Sequence, residues 1–431
     1  MSRLYSIGEL LIDFQSVGVA PLKDTQQFVK KAGGAPANVC VQAVKLKQQA
    51  TYLTKVGCDA FGEFLIETLR GEGVDVSYIS KSACHDTSLA FVSFAENGER
   101  EFSFYRRNAA DLYFTEEDFK DVAFKRGDVL EFGSVALKTD VAKSTHKYLI
   151  DKARQAGALI CFDPNLRFNL WEDKQELREV VKEFASFADV IKVGEDELSF
   201  VTELDGSKAV ASMFTGNLKL LLVTNGGKGA KLYLNGQLRA THEGYKVKTV
   251  DTTGAGDSFF GAFIAQLMQC GATPDNLLDG RIQYDKMLDF ACKCGAYTTM
   301  NYGAIAAMGN KEKIDKAEKR YRAVCEGTLT DADVRAFAEG ITLSDFTARP
   351  AKLEILEAGE ISTADVTLTE GKFHQVKRMF IAIGHPLAAL SRQQIGCVEL
   401  DEALAPGEFR KLTEAEVQGL KRMTNLMEEE A

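Results

Sequence analysis

The chain has few of the features that mark secreted, membrane or metal-binding proteins. Its nine cysteines are scattered through 431 residues, and Cys292 with Cys294 forms the one close pair, with no Cys-x-x-Cys spacing or histidine cluster beside it. This usage predicts reduced thiols in a cytoplasmic protein and argues against a zinc site. No apolar run reaches about 18 residues, so no transmembrane helix is expected. Met1–Arg3 leads straight into apolar Leu4–Ile7, so we expect no signal peptide.

The chain also lacks an excess of positive charge. It has 52 Lys and Arg against 62 Asp and Glu, a net charge of −10, and a pI of about 5.3. This balance argues against a general nucleic-acid or membrane surface. We find no internal repeat and no low-complexity tract. The composition, 45% hydrophobic and 26% charged, is that of a globular protein long enough for two or three domains.

One stretch carries the clearest chemistry. Val250–Phe260 is polar and glycine-rich at its start and continues as an apolar run to Leu267, which predicts a tight loop opening a helix. Gly254 and Gly256 expose bare backbone there, and unpaired amides at a helix N-terminus suit an anion such as a phosphoryl group in transfer. Asp257 is then either a base for a hydroxyl attacking phosphorus or a plain helix cap. The stretch alone does not decide between these two roles.

The nine residues from Asp251 to Phe259, Asp-Thr-Thr-Gly-Ala-Gly-Asp-Ser-Phe, resemble the signature of the ribokinase-like (pfkB-type) carbohydrate kinases. The resemblance implies ATP and Mg²⁺ as cofactors and a monovalent cation, K⁺, near this stretch. The roles it implies are an anion hole of Gly254, Ala255 and Gly256, a catalytic base at Asp257, and cation binding by Asp251 and Thr253.

Two segments near the N-terminus resemble members of the fructokinase type. They are Gly8–Phe14, which reads Gly-Glu-x-Leu-x-Asp-Phe, and Gly33–Asn38, which reads Gly-Gly-Ala-Pro-Ala-Asn. We predict one strand over residues 4–14, and the Asp13 carboxylate within it needs a partner or a cleft. The second segment is otherwise interpreted as a plain glycine turn with a helix cap. The resemblance places Asp13, Gly33, Gly34 and Asn38 on the sugar hydroxyls.

A small lid is predicted over residues 88–105. Ser88–Ala95 and Glu101–Tyr105 alternate as strands do, across the hairpin signal Asn97-Gly98. In the resembled family such strands cover the sugar, and a homodimer through the lid is one arrangement that we leave open. A surface arginine is usually solvated and inert. The family pattern Phe-Tyr-Arg nevertheless implies that Arg106 contacts substrate.

From Asp128 onward, apolar strand-like segments alternate with helical ones. This rhythm predicts a mostly parallel sheet with helices on both faces and with sites at the strand C-termini. The predicted fold class is therefore α/β, a ribokinase-like doubly wound sheet with a small β lid, followed by a C-terminal α+β fragment. The predicted domains are residues 1–310 and 311–431.

Three further segments resemble the family's nucleotide and phosphate sites. Asp163–Arg167 reads Asp-Pro-Asn-Leu-Arg, Lys192–Glu197 resembles an Asn-x-x-Glu segment that supports Mg²⁺ and phosphate, and Thr224–Ala230 resembles the Thr-x-Gly-x-x-Gly-Ala turn at the ATP site. Gly194 stands where the family has Asn, which weakens the expected support of the metal. Arg167 is assigned to substrate. The implied nucleotide contacts are Asn165, Lys192, Glu197, Thr224, Gly226 and Gly229.

Residues 318–418 resemble a different family, the C-terminal half of pseudouridine synthases of the ribosomal small-subunit type. The matching segments are Lys319-x-Tyr321, Gly371–Met379 with His-Gln-Val-Lys-Arg-Met, and Leu404–Thr413 with Leu-Ala-Pro-Gly-Glu-x-Arg-x-Leu-Thr. The resemblance makes Tyr321 and either Lys377 or Arg378 the counterparts of residues around the target uridine.

The segment that should carry the catalytic Asp of such a synthase, Gly-Arg-Leu-Asp, is missing upstream of Lys319. Residues 311–431 contain 17 Lys and Arg against 22 Asp and Glu, a net charge of −5, which gives RNA binding no independent support. For this chain we prefer to interpret the basic residues of the second motif, Lys372, Lys377 and Arg378, as one solvated helix face. The tail is a remnant, a fusion product or an error of sequence assembly, and the sequence leaves these open.

The sequence therefore predicts an ATP-dependent kinase acting on a primary hydroxyl of a sugar, with fructose first and 2-keto-3-deoxygluconate as the alternative. An RNA-binding or pseudouridine-forming protein is disfavoured by the absent catalytic Asp. A non-catalytic sugar sensor is disfavoured by the complete anion hole with Asp257.

Overall fold

The structure is a computed structural model that describes residues 2–94, 100–247, 249–314, 319–344, 346–348, 350–368, 374–395, 398–401, 404, 410–413 and 416. The chain divides into two compact units, Met1–Gly309 and Asn310–Ala431. The hairpin turn predicted at Asn97-Gly98, and residues 371–373 and 405–409 of the tail motifs, lie outside the described residues.

The described part of the first unit contains thirteen strands and eight α-helices. In chain order they are β1 Arg3–Ile7, β2 Leu11–Ser16, β3 Phe28–Gly33, α1 Ala35–Lys45, β4 Gln49–Gly57, α2 Ala60–Gly71, β5 Ile79–Ser82, β6 Ser88–Phe94, β7 Arg100–Tyr105, β8 Val129–Gly133, α3 Asp140–Gln155, β9 Leu159–Asp163, α4 Lys174–Ala185, β10 Val190–Gly194, α5 Glu195–Thr202, α6 Gly206–Met213, β11 Leu220–Thr224, β12 Ala230–Leu234, β13 Gln237–His242, α7 Ala255–Gln269 and α8 Tyr284–Thr299.

The main sheet has the strand order β13-β12-β11-β10-β9-β8-β1-β4-β5. The strands from β11 to β5 pair in parallel, and β12 and β13 add an antiparallel edge. The order runs outward from β1 in both directions, with β4 on one side and β8 on the other. This reversal creates the crevice at the carboxyl ends of neighbouring strands where open α/β sheets bind ligands.

Helices cover both faces of the main sheet, as the alternating strands and helices predict. Along β9, Leu159 and Cys161 face one hydrophobic core, and Ile160 and Phe162 face the other. Residues of α1, α2, α7 and α8 fill the first core, and residues of α3, α4, α5 and α6 fill the second. The sheet is therefore buried on both sides, the arrangement expected of parallel strands joined by crossover helices.

A second sheet of order β3-β2-β6-β7 forms the lid. The prediction of one strand over residues 4–14 is wrong, because β1 ends at Ile7 and β2 begins at Leu11 in the lid sheet. The Tyr52 hydroxyl donates to the Glu9 carbonyl at 2.5 Å and the Thr54 hydroxyl to the Gly8 carbonyl at 2.7 Å. These two β4 side chains hold the backbone where it leaves the main sheet. The apolar pattern continues through this point, so the sequence does not show where β1 ends.

The second unit is an α+β structure. Its described elements are α9 Lys311–Ile314, β14 Lys319–Glu326, α10 Asp331–Glu339, β15 Lys352–Glu357, β16 Ile361–Leu368, α11 Gln375–Ala382, β17 Leu387–Ile395 and β18 Val398–Glu399. The strands form an antiparallel sheet of order β15-β16-β14-β17-β18. Phe337 of α10 and Phe380 of α11 pack with Val366 of β16 in a separate core. β15 and β16 are thus paired with each other within this unit.

Candidate active site

A cleft of about 490 Å³ opens at the carboxyl ends of the central strands of the main sheet, below the lid. Its volume lies within the roughly 300–1,000 Å³ that is typical of small-molecule sites. Side chains of β2, β6 and β7 line its lid side, and the starts of α1 and α7 line its floor. Ten of the residues predicted from sequence line it, namely Asp13, Gly34, Asn38, Asn165, Arg167, Lys192, Thr253, Gly254, Gly256 and Asp257.

The turn that opens α7 is built for a ligand at the backbone. Gly254 has φ of +74°, and a Cβ on it would lie 2.7 Å from the Cβ of Ala304. The first helical bond runs from the Ser258 amide to the Gly254 carbonyl at 2.8 Å, so the amides of Gly256 and Asp257 precede it. The Ala255 amide instead donates to the Thr252 carbonyl at 3.3 Å, within the turn itself. The positive end of the α7 dipole therefore faces the cleft through amides that have no helical partner.

Asp251 fixes this turn. One of its carboxylate oxygens accepts from the Thr253 amide at 2.9 Å and from the Thr253 hydroxyl at 2.6 Å. The other oxygen accepts from the Gly303 amide at 2.9 Å. The segment after Gly303 is held in turn by α1, because Gln42 donates to the Gly309 carbonyl at 3.1 Å and Lys45 to the Ile305 carbonyl at 2.9 Å. The turn before α7 is thus tied to the last residues of the first unit.

Asp257 lies at the start of α7 and is only 9% exposed. The side-chain amide of Asn38, on α1, donates to Asp257 Oδ2 at 2.7 Å. Burial raises the pKa of Asp257 above its ordinary value, and Lys192, the Asn38 hydrogen bond and Arg167 oppose that rise. A buried carboxylate that lines the cleft and is held at one oxygen by a hydrogen bond is equipped to take a proton from a bound hydroxyl.

Lys192 supplies positive charge beside the α7 turn. Its ammonium donates to Asp163 Oδ2 at 2.9 Å, and both side chains are buried. A Cβ on Gly256 would come within 3.0 Å of Lys192 Nζ, so a side chain at position 256 would crowd the ammonium. Burial would lower the pKa of Lys192, but the charges of Asp163, Glu197 and Asp257 raise it, so it stays protonated. Burial raises the pKa of Asp163 to about 6 against the opposing effect of Lys192.

Glu197 acts on the backbone around the site. Its two carboxylate oxygens accept from the Leu166 amide at 2.7 Å and from the Gly194 amide at 2.8 Å. It therefore clamps the loop after β9 to the junction of β10 and α5. In that loop Asn165 has φ of +44°, a left-handed conformation that Asn tolerates better than most residues. The prediction that Glu197 contacts nucleotide stays untested, and its carboxylate is occupied by backbone amides.

The sugar side of the cleft is packed around two glycines. A Cβ on Gly33 would lie 2.2 Å from Asp13 Oδ2, and a Cβ on Gly34 would lie 2.3 Å from the Glu9 carbonyl. Gly34 also has φ of +127°, which side chains rarely adopt. A side chain at position 33 or 34 would clash with these atoms, which explains why both residues are glycine. Gly33 itself supports Asp13 from behind the cleft wall.

Glu9 lines the same wall and was not singled out by sequence reasoning. Its side chain is buried, and its Oε1 accepts from the Ala35 amide at 3.0 Å. Burial raises the pKa of Glu9 to about 7, against the opposing charge of Arg106. Asp163 was likewise missed as the partner of Lys192. A signal was present for both, since each is a carboxylate at the end of an apolar strand-like run.

Arg106 lies outside the cleft lining. Its guanidinium donates to Asp111 at 3.0 Å and to the Ser88 hydroxyl at 3.0 Å, and both charged side chains are almost fully buried. Ser88 in turn donates to Asp111 at 2.7 Å. The structure therefore places Arg106 in an ion pair at the base of the lid, and a direct contact with substrate remains a prediction.

The chain is similar to known proteins both in sequence and in fold. The family model of the pfkB family carbohydrate kinases matches residues 1–311. Fructokinase-2 of Solanum lycopersicum is 38% identical over 309 residues, covering 71% of this chain and 92% of the relative. The chain belongs to the pfkB family of carbohydrate kinases.

Two solved structures resemble this pfkB kinase. A double mutant of fructokinase from Vibrio cholerae O395, in a fructose-, ADP- and potassium-bound form, has a TM-score of 0.64 and 32% identity, covering 73% of this chain and 97% of that one. A sugar kinase from Pyrococcus horikoshii in complex with ATP has a TM-score of 0.63 and 33% identity, covering 73% and 97%. The predicted α/β ribokinase-like fold and the prediction of a carbohydrate kinase are confirmed.

The turn predicted to bind nucleotide in this kinase lies one strand away from Lys192. Thr224 ends β11 and pairs with Gly194 of β10, and Gly226 follows in the connection to β12. A Cβ on Gly229 would come within 1.9 Å of the His242 carbonyl, so this position excludes any side chain. These three residues do not line the 490 Å³ cleft, and they lie at or just after the carboxyl end of β11.

The tail residues singled out from sequence are placed on two elements of the second unit. On β14, the Tyr321 hydroxyl accepts from Arg392 Nε at 3.1 Å, and the Arg392 guanidinium lies 5.1 Å from the centre of the Tyr321 ring. On α11, Lys377 is exposed and Arg378 donates to the Ser344 hydroxyl at 3.2 Å.

Among the described residues no group of three or more His, Cys, Asp or Glu side chains is arranged to hold a metal ion. None of the described helices combines the length and the apolar character needed to cross a membrane.

Proposed function

We propose that this kinase transfers the γ-phosphoryl group of ATP to a primary hydroxyl of fructose, O6 in the first instance. What carries the proposal is the agreement between its relatives, which are named fructokinases, and a cleft that sets sugar-side residues beside a buried carboxylate. Asp13, Gly34 and Asn38 lie on the sugar side, and Asp257 lies beside the anion hole. The alternative, 2-keto-3-deoxygluconate, has no such relative among those described above.

The proposed chemistry uses the chain's own groups. Asp257 accepts the proton of the attacking hydroxyl as the new O–P bond forms and the bond between the γ-phosphorus and the β,γ-bridging oxygen breaks. The amides of Gly256 and Asp257, with the Lys192 ammonium, face the charge on the transferring group. Donors fixed in a dry site before the reaction stabilise such charge without reorganising. ADP and the sugar phosphate leave.

The donor set also fits the cations that the proposal needs. Mg²⁺ in phosphoryl-transfer sites is usually bound by substrate phosphates, water and one or two carboxylates, and it does not need a cage of protein ligands. A Mg²⁺ site of this kind does not require a cluster of acidic residues, and none is found among the described residues. Mg²⁺ would neutralise charge on the β- and γ-phosphates, and the family resemblance assigns its support to the segment that ends in Glu197. For K⁺, the oxygens of Asp251 and Thr253 and nearby carbonyls form a hard, oxygen-only set.

The test is a sugar panel with ATP, Mg²⁺ and K⁺, in which ADP release is measured for fructose, glucose, mannose and 2-keto-3-deoxygluconate. The expected result is a kcat/KM for fructose at least tenfold above the others, with ³¹P–¹H NMR placing phosphate on O6. Asp257→Asn, prepared in parallel, measures contaminating activity. Faster turnover of 2-keto-3-deoxygluconate would replace fructose as the substrate, and no ADP above the Asp257→Asn level with any sugar would refute the proposal.

For the second unit we propose kinship with pseudouridine synthases but no pseudouridine formation by this chain alone. Tyr321 and Arg392 provide an aromatic ring with a basic partner, but the segment that should supply the catalytic carboxylate is absent from the sequence. RNA binding gains no support from the net charge of −5 over residues 311–431. Homodimerisation through the lid is a further proposal, and sedimentation velocity of the intact chain would test it.

A further inference from the structure

The catalytic helix α7 is joined to α1 along a close seam. A Cβ on Gly261 would lie 2.7 Å from the Val39 carbonyl, so the two helices approach at backbone distance. One turn further along α1 than Asn38, Gln42 accepts from the Ser258 hydroxyl at 2.8 Å. The third contact is the 2.7 Å hydrogen bond from Asn38 to Asp257, between residues 219 apart in sequence. The seam therefore fixes the two helices before any ligand binds.

We propose that Asn38 is a positioning residue for the base Asp257, in addition to its predicted place among the sugar-binding residues. By donating to Asp257 Oδ2, the Asn38 amide fixes the rotation of the carboxylate and leaves Oδ1 as the oxygen that meets the acceptor hydroxyl. Because Asn38 sits on α1, the orientation of the base is set by the same helix whose first residues line the sugar side. This inference rests on the proposed role of Asp257 as the base.

The hydrogen bond from Asn38 to Asp257 can be removed without changing any of the charges around Asp257. Five ionisable groups have charge interactions with Asp257. They are Lys192 of β10, Arg167 of the loop after β9, Glu197 of α5, Asp163 of β9 and Glu131 of β8. Asn38 is neutral, so its removal changes none of these charges. It nevertheless holds the pKa of Asp257 down against burial, since a hydrogen bond to a carboxylate favours the ionised form.

A role in sugar binding alone would leave a different signature. The Oδ1 atom of Asn38 is buried and has no hydrogen-bond partner among the described residues. If Asn38 only contacted sugar, its loss would raise KM for the sugar and leave the pH dependence of turnover in place. If it positions the base, its loss lowers kcat and moves the acid limb of the kcat–pH profile to higher pH, because Asp257 must be deprotonated to act.

The test uses Asn38→Ala and the nearly isosteric Asn38→Leu in the full chain, with the sugar that the wild type phosphorylates fastest. We expect kcat to fall about tenfold at pH 7.5 and the acid limb to move up by about one pH unit, the order of effect of a lost hydrogen bond to a carboxylate. The matched control is Gln42→Ala, which removes the neighbouring contact of the same seam. We expect it to lower Tm and to leave the acid limb where it is.

The outcomes separate the hypotheses. A raised KM with an unmoved acid limb in both Asn38 variants would overturn the inference and leave Asn38 a sugar ligand. An equal shift of the limb in Gln42→Ala would overturn it in favour of general helix packing. A wild type without sugar-dependent ADP release would refute the proposed function itself. The one tryptophan, Trp171, is buried in the first unit, so its fluorescence verifies that each variant is folded.

Discussion

We predict that the buried carboxyl of Glu9 makes the first unit less stable as the pH rises from about 4.5 to about 7. This carboxyl is 3% exposed, and its pKa is raised from 4.5 to about 7 by burial. Below pH 4.5 the group is protonated in both the folded and the unfolded chain. Between pH 4.5 and 7 the unfolded chain releases the proton while the folded chain keeps it, so rising pH favours unfolding.

The magnitude follows from the two pKa values. With 1.36 kcal/mol per pKa unit, the ionisation of Glu9 should cost the folded state about 2.5 kcal/mol more at pH 8 than at pH 5. Glu9→Gln removes this term and keeps an oxygen to accept from the Ala35 amide. The unfolding free energy of Glu9→Gln minus that of wild type should therefore rise by about 2.5 kcal/mol between pH 5 and pH 8. Any effect of the new amide group that does not depend on pH leaves this change unaltered.

The assay is urea unfolding followed by Trp171 fluorescence at pH 5, 6, 7 and 8, which reports the first unit of the intact chain. Other titrating groups cancel in the difference between variant and wild type. Glu67→Gln, an exposed site on α2, is the control and should show a flat difference. A difference between Glu9→Gln and wild type that does not change with pH would refute the reasoning, because Glu9 would then titrate normally.

Three other predictions follow. Asp257→Asn should lose about 10²–10⁴-fold in kcat while ATP affinity, measured by calorimetry, stays within a few fold, because the α7 amides remain; near wild-type kcat would make Asp257 only a cap. Lys192→Met should lower kcat about 10²-fold, and it should destabilise the fold by about 3–5 kcal/mol because Asp163 is left buried without its ion-pair partner. Adding Asp163→Asn should therefore restore the urea midpoint but not the activity. Deleting residues 318–431 should leave sugar phosphorylation unchanged; loss of activity with Trp171 fluorescence intact, or uridine isomerisation in rRNA by the full chain, would contradict it.

Elements that are specified by residues adjacent in the chain could be predicted from the sequence. The glycine-rich start of α7 lies where the sequence predicts it, and the helix capped at Thr139 and the buried strand Leu220–Thr224 fit the predicted alternation of strands and helices after Asp128. Each is specified by residues that are neighbours in the chain: a glycine that permits a left-handed turn, a hydroxyl that caps a helix, and an apolar run of strand length.

Features that depend on contacts distant in sequence were beyond such reasoning. The exit of the chain from the main sheet at Gly8 depends on Tyr52 and Thr54, and the placement of Arg106 depends on its hydrogen bond to Ser88, 18 positions earlier. The bond from Asn38 to Asp257 joins residues that are 219 positions apart. The sequence supplied the chemical groups, and only packing shows which group faces which.

The ties between the catalytic turn and residues 303–309 have a consequence for how the protein is made. Asp251 receives the Gly303 amide and Gln42 binds the Gly309 carbonyl, so the site is incomplete on a growing chain until residue 309 has left the ribosome. Once residue 309 has been added, the 122 residues that follow it in this sequence take about 6 to 24 s to synthesise at 5–20 residues per second. During that interval the last residues of the first unit leave the ribosome, so the site can form before synthesis of the second unit is finished.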